Sequence, residues 1–337
     1  MDFVKQLLKR VDQLQQRHTW LAFPIAVNKK FGDDEGGNLA ALIAYYGFFS
    51  LLPLLAVLVT ILGYVLDGDP HLRQKILTST FAQFPIIGDQ LRSNVHSVRG
   101  SGLTLALGIA GTLYGGLGVA NAAQTAFNRV WEVPRAERPG FIPRVTRSLL
   151  LLVVVGGGIL AATTVNGRAT ASNGFGVFEI GAILLGIALN VGLFLVAFRL
   201  LTVHEVAPRD LVPGAVFAAV TFQILQMVGG LYVGHTLKNA SSTYGFFGIV
   251  LGLLAWVYLQ ARVLLLAAEI NVVRLRRLYP RALFPPPQTD ADRRALEQYA
   301  QTEERRKSED ISVTFDRQAG APDAPAPAGR HDNGVPR

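Results

Sequence analysis

The chain is 337 residues long, 50% hydrophobic and only 17% charged, with a mean hydropathy of +0.33, whereas soluble domains carry ~25% charged residues. This excludes disorder over most of the length, and the absence of cysteine excludes disulfides, thiolate metal sites, iron–sulfur clusters and cysteine nucleophiles. The formal charge of +8 fits either nucleic acid or topology, and its placement decides between them.

Taken in chain order, Phe3, Val4, Leu7, Leu8, Val11 and Leu14 recur at helical spacing with Lys5, Lys9, Arg10 and Asp12 between them. This predicts an amphipathic helix, lying on the cytoplasmic leaflet or against the loops of the rest, within a cytoplasmic segment 1–37. A secretory leader is not expected, because the first long apolar run begins only near Asn38. Stretches without Asp, Glu, Lys or Arg then follow at Asn38–Leu66, Gly100–Asn128, Ser148–Gly167, Ile180–Phe198, Leu211–Leu237 and Asn239–Ala261. About 20 apolar helical residues cross a ~30 Å hydrocarbon core. None of the runs shows the two-residue alternation of a barrel strand. The expected fold is therefore all-α, a polytopic bundle of six transmembrane helices over residues 38–278.

The loop Asp67–Arg99 is long for a structureless connection and is expected to form an external cap. Asn239, Ser241, Ser242 and Thr243 read as a short loop between the last two spans. After residue 279 the chain meets Pro285, Pro286 and Pro287 and carries nine Lys/Arg against ten Asp/Glu from Arg281 onward. A mostly disordered tail is expected over 279–337, with a helix around Asp290 to Lys307. Seventeen Lys and Arg fall on one set of span flanks and six on the other. Positive flanks stay in the cytoplasm, so both termini are expected there. The basic excess thus serves topology and anionic headgroups of the membrane lipids at the cytoplasmic face; nucleic acid is not an expected partner.

Polar side chains within the spans must avoid hydrocarbon. Tyr45, Tyr46 and Ser50 lie in the first span and Asn190, Gln223 and Gln226 in later ones. Asn121, Gln124 and Asn128 share one face of the second, where they either line a cavity or bond helices together. Gly111 and Gly115, and Gly248 and Gly252, sit four apart as close-packing seams, which serve contacts within one chain or in a homo-oligomer. Glu269 needs a partner near the end of the last span. Arg262, ~10.5 Å away along the helix, Arg199 or another helix's polar group are the options considered, and the acid is either functional or a helix anchor.

The runs Ala40-Ala41-Leu42-Ile43-Ala44-Tyr45-Tyr46-Gly47-Phe48-Phe49-Ser50-Leu51-Leu52-Pro53-Leu54-Leu55, Asn128-Arg129-Val130-Trp131, Pro213-Gly214-Ala215, Tyr244-Gly245 and Ala268-Glu269-Ile270-Asn271 resemble the YihY/BrkB family of bacterial inner-membrane proteins over about Ile25 to Arg276. The family's last motif commonly reads Gly-Ala-Glu-Leu-Asn, so Ala267 and Ile270 depart from it while Glu269 and Asn271 are retained. The resemblance implies a six-helix protein of the bacterial inner membrane with both ends inside. Members have been described as virulence or serum-resistance factors, as linked to envelope lipid export and, in an older usage, as a tRNA-processing ribonuclease.

No catalytic residue, metal site or cofactor is expected. The six histidines never lie three or four apart, and no Walker loop or GxSxG elbow is present. Asp67, Asp69, His71 and Asp89 are read as solvated loop polarity. The leading expectation is a non-enzymatic transporter or flippase of a lipid or amphipathic envelope component. Tyr45, Tyr46, Ser50, Asn121, Gln124, Asn128, Tyr244, Glu269 and Asn271 are its candidate path, with Pro53, Pro213, Gly214 and Gly245 as hinge or packing positions. The alternative is a scaffold that gathers envelope proteins through the tail and external loop.

Overall fold

The computed structural model describes residue 10 and residues 12–65, 102–169, 177–203, 206–232, 238–283 and 288–315. All regular structure among them is helical: α1 (Thr19–Asp33), α2 (Gly36–Val65), α3 (Gly102–Val130), α4 (Phe141–Ala169), α5 (Val177–Leu201), α6 (Pro208–Tyr232), α7 (Lys238–Leu275) and α8 (Asp290–Thr302), with one 3-10 turn at Arg135–Glu137. Among the described residues three helices, α3, α4 and α7, hold segments long and apolar enough to cross a membrane, and Leu185–Leu201 of α5 is a shorter apolar stretch. The amphipathic segment Phe3–Val11 and the external loop 67–99 lie outside the described residues.

Two expectations need correction. The polar run Asn239–Thr243 is not a loop but the beginning of α7; Ser, Thr and Asn are tolerated where a helix starts, because their side chains serve its free amides. Residues 279–283 and 288–302 are not part of a solvated tail. Thr289 and Asp292 form a reciprocal capping box that starts α8, and Ala282, Ala291, Asp292, Ala295 and Thr302 are buried.

The helices α2 to α7 form a ring in chain order: each packs on the next, and α7 returns to α2. Small residues set the closest approach. On α3, Gly108, Gly111, Gly115 and Gly118 face Val57, Pro53, Ser50 and Tyr46 of α2 in register. A Cβ on Gly115 would stand 2.7 Å from the Ser50 Cα, a backbone atom that cannot step aside. Helices packed without a hydrophobic drive between them depend on such seams.

The α6–α7 crossing is fixed by an amide. Pro213 has no N–H, and the next amide, that of Gly214, donates to Asn271 Oδ1 at 2.8 Å, while Asn271 Nδ2 donates to the Leu211 carbonyl at 3.3 Å. Gly214 is required there because a Cβ would strike the Ala267 carbonyl.

The core lies toward one end of the ring, where Trp131, Phe127, Phe198, Leu211, Leu265, Leu278 and Val130 are fully buried. Helix α1 packs along that end of α7. We expect Gly115→Ala to destabilise the protein by about 1–3 kcal/mol through overpacking. Gly157→Ala, on an exposed stretch of α4 with nothing within 4 Å, should leave stability equal or higher. Thermal unfolding in detergent compares the two, and equal losses would remove the seam from the account.

Candidate functional site

Three helices end in tight reversals at an ionisable residue, of which Glu132 is buried while Glu35 and Arg277 are exposed. Glu35, Glu132 and Arg277 follow α1, α3 and α7 with φ of 56°, 51° and 52°, a left-handed conformation uncommon outside glycine. At Glu132 and Arg277 the next residue's amide reaches back five positions, Val133 to the Asn128 carbonyl at 2.8 Å and Leu278 to the Val273 carbonyl at 3.0 Å. These are Schellman closures with a non-glycine residue at the turn. They set Glu132 under the bundle, where Lys30 waits.

Lys30 is fully buried. Its ammonium lies 2.5 Å from Asp34 Oδ2, 3.2 Å from Glu132 Oε1 and 3.4 Å from Glu269 Oε2, and donates to the Val130 carbonyl at 3.0 Å. Arg276 pairs with the other Glu132 oxygen and donates to the Trp131 carbonyl at 2.7 Å. Tyr299 of α8 closes the cluster, its ring centroid 5.7 Å from the ammonium. Burial pulls the Lys30 pKa down, but Glu269, Glu132 and Asp34 outweigh it and raise the value above the ordinary range. Burial raises that of Glu132, with Lys30 and Arg276 opposing.

Two cations thus face three carboxylates. Neither Glu269 oxygen, nor Asp34 Oδ1, accepts a hydrogen bond among the described residues. A buried charge without partners is costly, so the set is stable only with Lys30 in place.

A second layer fastens α8 beneath the cluster. Asp292 accepts from Lys29 at 2.9 Å, Arg281 at 3.0 Å and the Ala282 amide at 2.9 Å. Burial alone would raise its pKa, yet these donors and Thr289 hold it well below the usual carboxylate range. Arg281 also pairs with Asp33 at 2.8 Å, and Gln15 donates to the Arg281 carbonyl at 2.7 Å. Gln15, the stretch around Arg281 and Ala282, and the start of α8 are thus joined to one another.

Beyond the cluster the bundle holds a half-open groove of about 220 Å³ between α2, α5, α6 and α7, lined by Ile43, Phe194, Phe222, Val257, Ala261 and Leu264 among others, with Gln260 as its one polar side chain among the described residues.

The sequence candidates distribute differently. Gln124 donates to Ser148 Oγ at 2.7 Å and the Arg144 carbonyl at 3.2 Å, and Ser148 donates to Asn121 at 3.2 Å; these residues join α3 to α4. Asn128 is buried beside them. Tyr45 is 53% exposed and stacks edge-on with Tyr46. Ser50 donates to the Gly47 carbonyl. Tyr244 and Gly245 fall in α7 with side-chain positions outside the described residues, and Gly248 and Gly252 are half-buried on the same helix. None of those with described side chains is among the residues that line the groove.

Glu269 and Asn271 sit where helices meet, and of the partners considered for Glu269 the structure has a polar group of another helix rather than either arginine. Arg262 lies over the Phe31 ring and Arg199 donates to the Val206 carbonyl, while the counter-ion is Lys30. Lys30, Asp34, Glu132 and Gln260 were not singled out from sequence. The signals present were the i,i+4 spacing of Lys30 and Asp34 and the acid directly after the Asn128–Trp131 motif. Among the described residues no group of three or more His, Asp or Glu is placed to hold a metal ion.

These features define an integral membrane helix bundle with an ionic plug at one end. The chain belongs to the Virulence factor BrkB family, whose profile matches residues 27–292. It is 25% identical over 80% of its length to a UPF0761 membrane protein of Acinetobacter baylyi, of which it spans 65%. It is 26% identical over 75% of its length to the inner membrane protein YhjD of Escherichia coli, covering 81% of that chain. With the ribonuclease-like protein YfkH of Bacillus subtilis it shares 30% identity over 72% of its length and 91% of that chain. No solved structure matches.

Removing one partner from a buried ion pair costs about 3–5 kcal/mol, and that loss is expected for Lys30→Met, with part recovered when Glu269→Gln is added. With its pKa raised, Lys30 gives its full contribution below about pH 10, and the contribution is lost only as pH climbs through the higher native value. Denaturation of the two variants and the wild type from pH 6 to 11 checks both statements; a wild-type-like Lys30→Met overturns them.

Proposed function

We propose that this chain is a six-span inner-membrane protein that moves a lipid or other amphipathic envelope component between leaflets, its acyl portion entering the groove between α2, α5, α6 and α7. The observation that carries this reading is the groove itself, an apolar trough with a single amide at Gln260. Small-molecule sites usually measure ~300–1,000 Å³; a smaller, apolar, half-open groove suits a stretch of one acyl chain better than a polar solute. Gln260 is positioned to meet an ester or headgroup oxygen travelling with that chain. The ionic plug supports a direction of closure, since the end of the ring that holds Lys30 is packed shut.

The six-span topology with both ends in the cytoplasm is part of the same reading. Six helices of 25 to 38 residues support it, as does the excess of Lys and Arg on one set of flanks. Substrate handling needs no catalytic chemistry, so the protein is read as a non-enzyme.

Because the natural chain has no cysteine, single replacements report topology cleanly. A membrane-impermeant maleimide added to intact cells should label Ser93→Cys and spare Gln13→Cys and Ser308→Cys until the membrane is opened. Labelling of either end from outside would refute the topology.

In vesicles carrying a fluorescent phospholipid, the wild type should expose inner-leaflet lipid to an added quencher. Ala261→Leu, which fills the groove, should return the rate to that of protein-free vesicles while unfolding at the wild-type temperature. An unchanged rate would dismiss the groove as the path, and absence of wild-type flux would favour the scaffold.

A further inference from the structure

A second cleft, of about 510 Å³, opens between the α3–α4 loop and the strand of chain after α8, lined by Pro134, Ala136, Glu137, Arg138, Glu304, Arg306 and Lys307. Its two walls are tied together by the Ala136 amide, which donates to the Glu304 carbonyl at 3.0 Å, and by Arg135, 3.0 Å from Glu303. Cations dominate it. Arg138 spends its Nε on the Val133 carbonyl at 3.2 Å, leaving the outer guanidinium nitrogens for another acceptor. No ion pair among the described residues involves Arg138, Arg306 or Lys307, whereas the nearby Arg129 and Arg135 are both engaged by Glu303. Of the two acids, Glu304 accepts from the Ile311 amide at 3.3 Å.

The level of this cleft is set by its neighbours in sequence. Arg138 precedes by three residues Phe141, the first residue of the span-like segment Phe141–Gly158. Phe141 is 71% and Ile142 75% exposed, an arrangement that suits side chains entering lipid at the edge of the hydrocarbon. Three residues are at most ~11 Å of extended chain, so the cations stand at headgroup height. Arg144 lies over the Phe141 ring, 6.0 Å from its centroid, and adds a further positive charge beside the mouth.

We propose that this cleft binds the phosphate of an anionic phospholipid of the cytoplasmic leaflet, held by Arg138 from the α3–α4 loop and by Arg306 and Lys307 from the chain after α8. Arg138 offers paired N–H donors to phosphate oxygens, and Lys307 a point charge. Burial together with Arg135 and Arg129 lowers the pKa of Arg138, a like-charge crowding that a bound anion relieves. The headgroup then cross-links the loop to the segment that follows α8. This site is separate from the acyl groove and does not depend on lipid movement.

Native mass spectrometry of the full chain in detergent, titrated with phosphatidylglycerol, phosphatidylcholine or inorganic phosphate, tests the assignment. Phosphatidylglycerol should be retained in preference to phosphatidylcholine. Each Lys or Arg near an anionic surface contributes about fivefold in affinity. The triple variant Arg138→Gln, Arg306→Gln, Lys307→Gln should therefore lose about a hundredfold, and Arg209→Gln, an exposed arginine elsewhere, should lose nothing. Glu137→Gln removes an acid from the cleft and should tighten binding, a gain that misfolding cannot mimic. Equal retention by the triple variant, equal loss with Arg209→Gln, no gain with Glu137→Gln, or competition by inorganic phosphate as strong as by the lipid would each overturn the proposal.

Discussion

A single ammonium group, that of Lys30, sits where α1, the end of α3, α7 and α8 converge, and the geometry of that end of the bundle follows from the need to keep it surrounded. Replacing water around a buried cation takes several acceptors, and the fold supplies Asp34 as the residue that caps the same helix, Glu132 from a left-handed turn, Glu269 from α7 and the Val130 carbonyl. Buried ionic sets of this kind add little net stability over a well-packed apolar core, because desolvation offsets the attraction. Their effect is on register: a shift of α7 by one residue would carry Glu269 away from Lys30 and Asn271 away from Gly214 together.

The same arrangement divides the molecule by chemistry. The ring of helices above is held by small-residue contact and a few amide bonds, such as Gly115 against Ser50 and Gln124 against Ser148. The end below is held by charge. The apolar groove lies between these regimes, where Ala261 and Leu264 face it and Leu265, one residue on, is fully buried. An apolar wall and an ionic floor thus adjoin within a few residues of α7.

Much of the ring was legible in the sequence, because a charge-free run of twenty or more residues has few other solutions; α2 begins two residues before the expected Asn38 and α3 ends two after the expected Asn128. The family motifs also stood out, yet their meaning did not. Asn271 pairs with backbone 57 residues earlier and Glu269 with a side chain 239 positions away, and no local pattern encodes separations of that size. Lys30 was read as one more positive flank, together with Lys29 and Arg17. Glu132 stood one residue beyond a recognised motif, at a turn that sequence would have assigned to glycine. The polar run at Asn239 was taken for a loop by composition alone, although the same residues begin α7, whose 38 positions span ~57 Å and outreach the hydrocarbon.

The ring closes only where its last member meets its first, and this has a consequence for how the polypeptide is made. While the ribosome is still delivering the middle of the chain, Lys30 has Asp34 beside it, and the α7 carboxylate that completes its shell has not been synthesised. Burial of the charge must wait for α7 and then α8 to emerge. A nascent chain that stalls early is left with a hydrated, open seam between α2 and the gap, a surface that insertion chaperones and membrane proteases can recognise as unfinished.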